Sequence, residues 1–328
     1  MEPLKVGFIG AGEMATWAIY PSLHFAPISL TAICDLDANK AKSTAAKFAP
    51  GKWYTDYREM WQNENMEAVI IQMHPRPRQS IVLEALEAGY HVFIPKPPAM
   101  SLSDSEAILA AANRVRKKVM VNFERRFSYG VMEAKKIMQN SSFGPITQLF
   151  GSFCSGTYDA IRGRDYQSPV QAYILDFAVH YFDLIRYLGG EVNKIALFDH
   201  RIGGGIAITI SLTFESGAVG TLQLNSQRIW WRNYDRLEIT GTGEYIILDG
   251  IWSIKHYSKK GNTFTENYSD QRSGELTGDG PSLIEWASAI REDRECNSSI
   301  QDATKTMRLY QAVYNAIKNG KDGVINLP

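Results

Sequence analysis

A short glycine-rich segment near the amino terminus constrains the fold of this chain more than any other feature. It spans residues 10–15, reads GAGEMA, and directly follows the apolar run Leu4–Ile9. In a G-x-G-x-x-A pattern the first glycine, Gly10, allows a tight turn out of a strand. Gly12 leaves room for a phosphate, and Ala15 lets the following helix pack closely. The segment therefore predicts a βαβ unit that binds a dinucleotide.

The residues that we expect to contact this dinucleotide lie in the turn and the first helical turn, where free amides attract phosphate. They are Gly10, Gly12, Glu13, Met14 and Ala15. The alternative interpretation is an ordinary α/β turn that binds no nucleotide.

An acidic residue after the second predicted strand bears on the kind of dinucleotide. Leu30–Cys34 reads as that strand, and Asp35 follows it near the spacing of a carboxylate that binds the ribose hydroxyls. A carboxylate there repels a 2′-phosphate, and Leu36 brings no positive charge. Lys40 or Lys42 can reach back toward such a phosphate. We therefore expect NAD to be favoured over NADP.

Short strands and helices alternate along the first third of the chain. Strands are predicted at Met66–Gln72, Tyr90–Ile94 and Lys118–Asn122, and helices at Glu13–Ser22, Asp37–Phe48, Ser80–Ala88 and from an N-cap at Ser101. This alternation is typical of a doubly wound parallel sheet with helices on both faces.

The pattern changes after about Phe127. The next elements are a helix, a strand beginning near Ile146 and a long apolar helix at about Val170–Leu188. Successive strands separated by turns follow, and then two helices near the end of the chain. Consecutive strands with tight turns favour an antiparallel sheet. We therefore predict a Rossmann domain in residues 1–127 and an α+β domain with a large, mostly antiparallel sheet in residues 128–328.

Charge and composition exclude several classes of protein. Lysine plus arginine equals aspartate plus glutamate at 35 each, so there is no broad basic surface for nucleic acid. No apolar run reaches the roughly 20 residues of a membrane helix, and no secretory signal is evident. The 3 cysteines and 6 histidines show no metal-ligand spacing. We expect a cytoplasmic protein with no metal, membrane or nucleic-acid partner.

Several further motifs together resemble the Gfo/Idh/MocA family, which is named after glucose–fructose oxidoreductase and inositol dehydrogenase. Residues 88–97, AGYHVFIPKP, resemble its G-K-H-V-x-x-E-K-P signature, residues 143–146 resemble the start of its second domain, and residues 176–180, DFAVH, resemble its D-x-x-x-H helix motif. The similarity extends over essentially the whole chain and is weakest after about Gly190.

Three positions depart from the family pattern. Pro95 stands where the E-K-P triplet has glutamate, Tyr90 stands where the lysine follows the glycine, and Gln79 stands where a histidine is frequent. Pro95 removes a charged neighbour from Lys96, so the departure places the positioning of the nicotinamide and the tuning of Lys96 in question.

The resemblance implies hydride transfer between NAD(P) and a secondary alcohol of a sugar, polyol or sugar derivative. This reaction needs a positive group near the substrate oxygen and a base for its proton. Lys96, after the fifth strand, fits the first role and His180 the second, with Asp176 on the same helix face. The alternatives are a surface lysine, a core histidine and an ordinary helical pair.

Other site residues follow from the resemblance. His74, Pro75 and Lys96 are expected beside the cofactor, and the substrate candidates are Arg125, Tyr158, Arg162, Trp231 and Tyr234. Arg125 is as readily interpreted as the ion-pair partner of Glu124. The aromatic residues near 230 are as readily interpreted as sheet core or a subunit interface.

The resemblance also implies a homodimer or homotetramer formed through the open face of the second sheet. Two other functions stay open: a glycosidase that uses NAD in an oxidation–elimination cycle, and a non-catalytic regulator that senses the cofactor.

Overall fold

The computed structural model describes residues 2–48, 51–155, 166–200, 205–227, 234–265, 277–320 and 323–327, leaving out the side chain of Tyr234. The chain divides into two compact units. The first contains Met1–Phe127 and Gln271–Thr304, and the second contains Ser128–Asp270 and Lys305–Pro328.

The first unit is built on a six-stranded sheet in the order β3-β2-β1-β4-β5-β6, and every pair of neighbouring strands is parallel. Its strands are β1 (Leu4–Ile9), β2 (Ile28–Cys34), β3 (Trp53–Tyr54), β4 (Ala68–Ile71), β5 (His91–Pro95) and β6 (Val119–Asn122). The order of strands reverses direction between β1 and β4, where such sheets bind ligands at their carboxyl edge. The predicted doubly wound parallel sheet is confirmed.

Helices connect these strands. They are α1 (Tyr20–Ser22), which follows a π-helical turn at Ala15–Ile19, then α2 (Ala38–Phe48), α3 (Tyr57–Asn63), α4 (Pro75–Glu87) and α5 (Leu102–Val115). Strand β4 is buried along its whole length, as expected for a parallel strand covered on both faces.

The predicted start of α5 is correct, and that of α4 is not. The N-cap at Ser101 is confirmed, because its hydroxyl accepts a hydrogen bond from the Asp104 amide at 3.1 Å. The helix predicted to begin at Ser80 begins at Pro75 instead. His74 caps it, and proline suits the first helical position because its missing amide hydrogen is not needed there.

The chain returns to the first unit near its carboxyl end. Helix α9 (Asp279–Arg291) buries Leu283 and Trp286 completely in the same core as Phe8, and the Trp286 ring lies 5.3 Å from that of Phe93. The domain limits proposed from the sequence, 1–127 and 128–328, do not include this return. No local signal marks it, because a helix shows an apolar face without showing which sheet that face covers.

The second unit is built on a nine-stranded sheet in the order β14-β13-β12-β11-β7-β10-β9-β8-β15. Its strands are β7 (Ile146–Cys154), β8 (Val192–His200), β9 (Ala207–Phe214), β10 (Val219–Asn225), β11 (Tyr234–Gly241), β12 (Tyr245–Asp249), β13 (Ile254–Ser258), β14 (Gly261–Thr265) and β15 (Ile325–Asn326). Only the described pair β7 and β10 is parallel, so the predicted mostly antiparallel sheet is confirmed.

A long, buried helical segment belongs to the second unit. Its parts are α7 (Pro169–Ala172), a π-helical turn (Tyr173–Ala178) and α8 (Val179–Gly189); the unit also contains α6 (Tyr129–Met138) and most of α10 (Ile300–Asn319). The Tyr181 ring stacks on Phe153 of β7 at 3.7 Å and its hydroxyl donates a hydrogen bond to Asp235 of β11. These contacts fix the helix to one face of the sheet.

Within the described ranges, no helix combines the length and the apolar character needed to cross a bilayer. All three cysteines, Cys34, Cys154 and Cys296, are buried and form no disulfide.

The return of α9 to the first unit predicts a large stability effect at Trp286. Substitution of Trp286 by alanine removes a fully buried ring and leaves a cavity, so the free energy of unfolding should fall by about 3–5 kcal/mol. Urea unfolding measures this change. The matched control is Trp17→Ala, since Trp17 is 55% exposed and its loss should cost about 0.5 kcal/mol or less. Equal effects of the two substitutions would contradict the placement of α9.

Candidate cofactor and catalytic site

The turn after β1 requires glycine at its first position. Gly10 has φ +107°, a left-handed conformation that side chains disfavour, and a Cβ atom there would lie 2.2 Å from the carbonyl oxygen of Gln72. The Gly10 amide donates to the Cys34 carbonyl at 2.8 Å. Gly10 is therefore held between the ends of β2 and β4, and no other residue fits.

The second glycine is free of such crowding. A Cβ atom at Gly12 would meet no atom within 4 Å, while Ala15 is almost fully buried under the following helix. Glu13 and Met14 are both exposed between them. An open backbone surface at the start of a helix offers amides to phosphate groups. The residues present therefore fit a dinucleotide.

Asp35 ties the glycine turn to the end of β2. Its Oδ2 atom accepts a hydrogen bond from the Ala11 amide at 2.7 Å and its Oδ1 atom accepts one from the Asp37 amide at 2.9 Å. The next residue, Leu36, is 93% exposed and brings no positive charge. Asp35 thus places a carboxylate beside the glycine turn. Lys40 and Lys42 are exposed on α2.

Two titratable groups beneath the turn are held neutral. Burial, and next the charge of Asp35, raises the pKa of Cys34 to about 12, so this thiol stays protonated and unreactive. The same two causes raise the pKa of Tyr20, whose hydroxyl donates to the Gly10 carbonyl at 3.2 Å. Both groups support the turn as neutral packing elements.

A buried arginine joins the loops that follow β4 and β5. Arg78, on α4, is 1% exposed, and its guanidinium donates to the carbonyl oxygens of Met73 at 2.9 Å, of Pro98 at 3.3 Å and of Pro97. The loop that it holds follows Lys96 directly. Sequence analysis missed this role, because the three acceptors are backbone atoms that the sequence does not show.

The end of β6 carries a cluster of charged groups beside the end of β5. Pro95 of β5 is paired with Asn122 of β6, so Lys96 and Glu124 leave the sheet at the same edge. The Asn122 amide donates to Asp279 of α9 at 2.9 Å. Sequence analysis singled out neither Glu124 nor Asp279 as a site residue. The sequence Glu-Arg-Arg at residues 124–126 shows that charge is present, but it does not show which residues that charge contacts.

The two arginines after β6 are both buried. Arg125 is 7% exposed, and its Nε atom lies 3.9 Å from Glu124 Oε1, the ion pair that the alternative interpretation expected. Arg126 donates to the Asn297 carbonyl at 2.6 Å and to Asp302. Arg126 therefore anchors the returning segment of the chain to the first sheet.

In the second unit, Asp176 and His180 lie on the helical segment over the nine-stranded sheet. Asp176 is partly buried within the π-helical turn, and His180 is buried in the first turn of α8 with 8% exposure. Single π-helical turns recur at functional sites because they displace side chains from the regular helical positions. Asp183, interpreted from the sequence as structural, accepts a hydrogen bond from the Thr306 hydroxyl at 3.2 Å.

Several predicted substrate residues cannot be located on the structure. Tyr158, Arg162 and Trp231 lie outside the described residues, and of Tyr234 only the backbone, in β11, is described. The predicted cofactor residues of the first unit do come together. Gly10, Asp35, His74 and Lys96 follow β1, β2, β4 and β5 at one edge of the sheet, although His74 serves there as the N-cap of α4. The described residues contain no group of three potential metal ligands.

Comparison with known proteins identifies both halves of the chain. The model of the GFO/IDH/MocA oxidoreductase family, with its NAD-binding Rossmann fold, matches residues 4–123, and the GFO/IDH/MocA C-terminal domain matches residues 131–247. Myo-inositol 2-dehydrogenase of Thermotoga maritima is 26% identical over 264 residues, 76% of each chain. D-apiose dehydrogenase of Paraburkholderia graminis is 24% identical over 338 residues, 98% of this chain and 89% of the relative.

A solved structure shares the whole fold. An oxidoreductase from Agrobacterium radiobacter, in complex with NAD⁺, L-tartaric acid and magnesium, matches with a TM-score of 0.84 and 21% sequence identity. The match covers 99% of this chain and 98% of that one.

The contacts of Arg78 predict its importance for stability. Arg78→Met removes the donor to the three carbonyls and should lower the free energy of unfolding by about 2–4 kcal/mol, since buried acceptors lose a charged partner. Chemical denaturation measures the change. Arg76→Met is the matched control, because Arg76 is exposed on the same helix and its substitution should change stability by about 0.5 kcal/mol or less. A similar small effect at Arg78 would contradict its proposed role.

Proposed function

Because this chain belongs to the GFO/IDH/MocA family of NAD-binding oxidoreductases, we propose that it transfers hydride between NAD and a secondary alcohol of a sugar, polyol or sugar derivative. One observation carries the proposal. The glycine turn, Asp35 and Lys96 lie at one edge of the parallel sheet, so a site for a dinucleotide and a cation for an alkoxide share that edge.

The relatives support the class of substrate. Their names refer to myo-inositol and D-apiose, and the solved structure contains L-tartaric acid. All three molecules carry more than one alcohol group. A polyhydroxylated substrate is the class that we propose here.

The bound nicotinamide supplies the hydride acceptor in the oxidation. The proposed role of Lys96 is to donate a hydrogen bond to the substrate oxygen and to stabilise its negative charge as the hydride leaves. His180 takes the hydroxyl proton, since an imidazole exchanges protons near neutral pH. Asp176 stabilises the imidazolium that results or binds a neighbouring hydroxyl. Arg78 keeps the loop after Lys96 fixed through its carbonyls.

We also propose that copies of this chain form a homodimer or homotetramer through the open face of the nine-stranded sheet. In β9, Ile208, Ile210 and Leu212 are buried, whereas Thr209 and Ser211 between them are exposed on the other face. Exposed apolar side chains such as Phe198 of β8, 77% exposed, supply apolar area for such an interface.

The preference for NAD is proposed to come from the charge of Asp35. Asp35→Asn keeps an oxygen that can accept the Ala11 hydrogen bond and removes the charge that repels a 2′-phosphate. The ratio of kcat/KM for NAD⁺ to that for NADP⁺ should fall about tenfold or more, which corresponds to about 1.4 kcal/mol. Steady-state kinetics with both cofactors measures it, with Asp37→Asn as the control. An unchanged ratio would remove Asp35 as the selecting group.

The catalytic proposal is tested at Lys96 and His180. Purified protein is assayed with NAD⁺ and a panel that includes myo-inositol and D-apiose, following the absorbance of the reduced nicotinamide. Lys96→Met and His180→Asn should each lower kcat about 10²–10⁴-fold, because each removes a group that acts on the reacting oxygen or its proton. Lys136→Met and His200→Asn, at exposed positions of the second unit, are the controls and should retain turnover.

Full turnover in both active-site variants would contradict the mechanism. Cleavage of a p-nitrophenyl glycoside without net reduction of NAD⁺ would favour the glycosidase. NADH binding without turnover across the panel would favour the regulator.

A further inference from the structure

Lys96 has no charged residue directly before it in the chain. The preceding residue is Pro95, which ends β5 and offers neither a charge nor an amide hydrogen. A neighbouring strand can instead supply a carboxylate to the Lys96 ammonium. Strand β6 lies beside β5 with Asn122 paired to Pro95, and the chain reaches Glu124 two residues later.

Glu124 is held in place from two sides. Its carboxylate Oε1 lies 3.9 Å from the Arg125 Nε atom, and 23% of its side chain is exposed. Its backbone carbonyl packs against Gly278, where a Cβ atom would lie 2.0 Å from the Glu124 oxygen. Gly278 adopts φ +99° and caps α9, so the start of that helix is pressed against the Glu124 backbone.

Helix α9 brings a second carboxylate to the same place. Asp279 follows Gly278, is buried, and accepts hydrogen bonds from the Asn122 amide at 2.9 Å and the Thr277 hydroxyl at 3.5 Å. The cluster thus contains two carboxyl groups, Glu124 and Asp279, and two cations, Lys96 and Arg125. We call these four residues the β5–β6 charge cluster.

The charges in this cluster act on one another. Burial, assisted by the charge of Asp279, raises the pKa of Glu124 to about 7, although the charges of Arg125 and Lys96 oppose the rise. Burial likewise raises the pKa of Asp279. Glu124 thus gains a proton as the pH falls through about 7, within the range where its charge can control Lys96.

The ionised form of Glu124 costs stability. A carboxyl whose pKa is higher in the folded than in the unfolded chain stabilises the fold at low pH, and that contribution is lost as the pH rises from about 4.5 to about 7. A neutral glutamine of similar shape would avoid this loss. The presence of a costly carboxylate beside Lys96 therefore points to function, since perturbed carboxyl groups concentrate at active sites.

We propose that Glu124 is the positioning residue for Lys96: its ionised carboxylate, itself held by Arg125, acts with Asp279 to hold the Lys96 ammonium at the carboxyl edge of the sheet. This inference rests on the proposed function of Lys96. Protonation of Glu124 removes the anion that orients the ammonium, so turnover should fall in acid.

The kinetic test uses Glu124→Gln, with Glu124→Asp as the conservative variant. Glu124→Gln should lower kcat about 10–100-fold, since misplacement of a reacting group by about 1 Å costs as much. It should leave KM for NAD⁺ within about twofold, because the glycine turn and Asp35 are unchanged. Glu124→Asp should recover most of the lost kcat. Glu106→Gln, at an exposed position of α5, is the matched control.

The pH profile separates positioning from packing. In the wild-type protein, kcat should fall as the pH drops through about 7, because Glu124 gains a proton. In Glu124→Gln this ionisation is absent, so the acid limb should become shallower. Thermal unfolding at pH 8 should show a melting temperature equal to or above that of wild type. An unchanged acid limb, or a normal kcat in Glu124→Gln, overturns the proposal.

A measurement without substrate tests the coupling itself. The carboxyl titration of Glu124 is followed by infrared difference spectra between wild type and Glu124→Gln, and again in the Lys96→Met background. Loss of the Lys96 charge should raise the titration midpoint of Glu124, whereas Lys136→Met should leave it unchanged. An unshifted midpoint overturns the inference even if the enzyme turns over. A shifted midpoint without turnover on any substrate leaves the pairing standing and counts against the proposed function.

Discussion

The close approach of Gly10 to the carbonyl of Gln72 is the constraint on which the rest of the structure depends. Gly10 also donates to Cys34, so one residue without a side chain connects the ends of β1, β2 and β4. Because the turn is tight, the following backbone stays open at Gly12, and Asp35 can reach the Ala11 amide. The shape of the dinucleotide site thus follows from the absence of one Cβ atom.

The first unit has buried charged side chains next to the segments that follow β4, β5 and β6. Arg78 donates its hydrogen bonds to backbone carbonyls. The β5–β6 charge cluster contains two carboxyl groups near Lys96 and Arg125. Buried charge is destabilising unless it is paired, so its presence at the carboxyl edge, where ligands bind in such sheets, indicates a functional cause. The hydrophobic core stabilises the unit, whereas the buried charges at this edge lower its free energy of unfolding.

The sequence was informative where the signal is local. The glycine pattern, the N-cap at Ser101 and the two helices near the carboxyl end depend on neighbouring residues, and the structure has them as predicted. Helix α4 was predicted to start too late, because the capping of its first turn by His74 was not recognised. The roles of Arg78 and Glu124 and the return of α9 depend on contacts between distant segments, which no local pattern records.

We propose that the carboxyl edge of the first sheet holds NAD with its nicotinamide ring beside Lys96. A crystal structure of the purified protein soaked with NAD⁺ tests it most directly. We expect density for the pyrophosphate over the Gly10–Gly12 turn, a ribose on Asp35, and the nicotinamide at the ends of β4 and β5 next to Lys96. Density for the cofactor at any other place, or a nicotinamide turned away from Lys96, would contradict it.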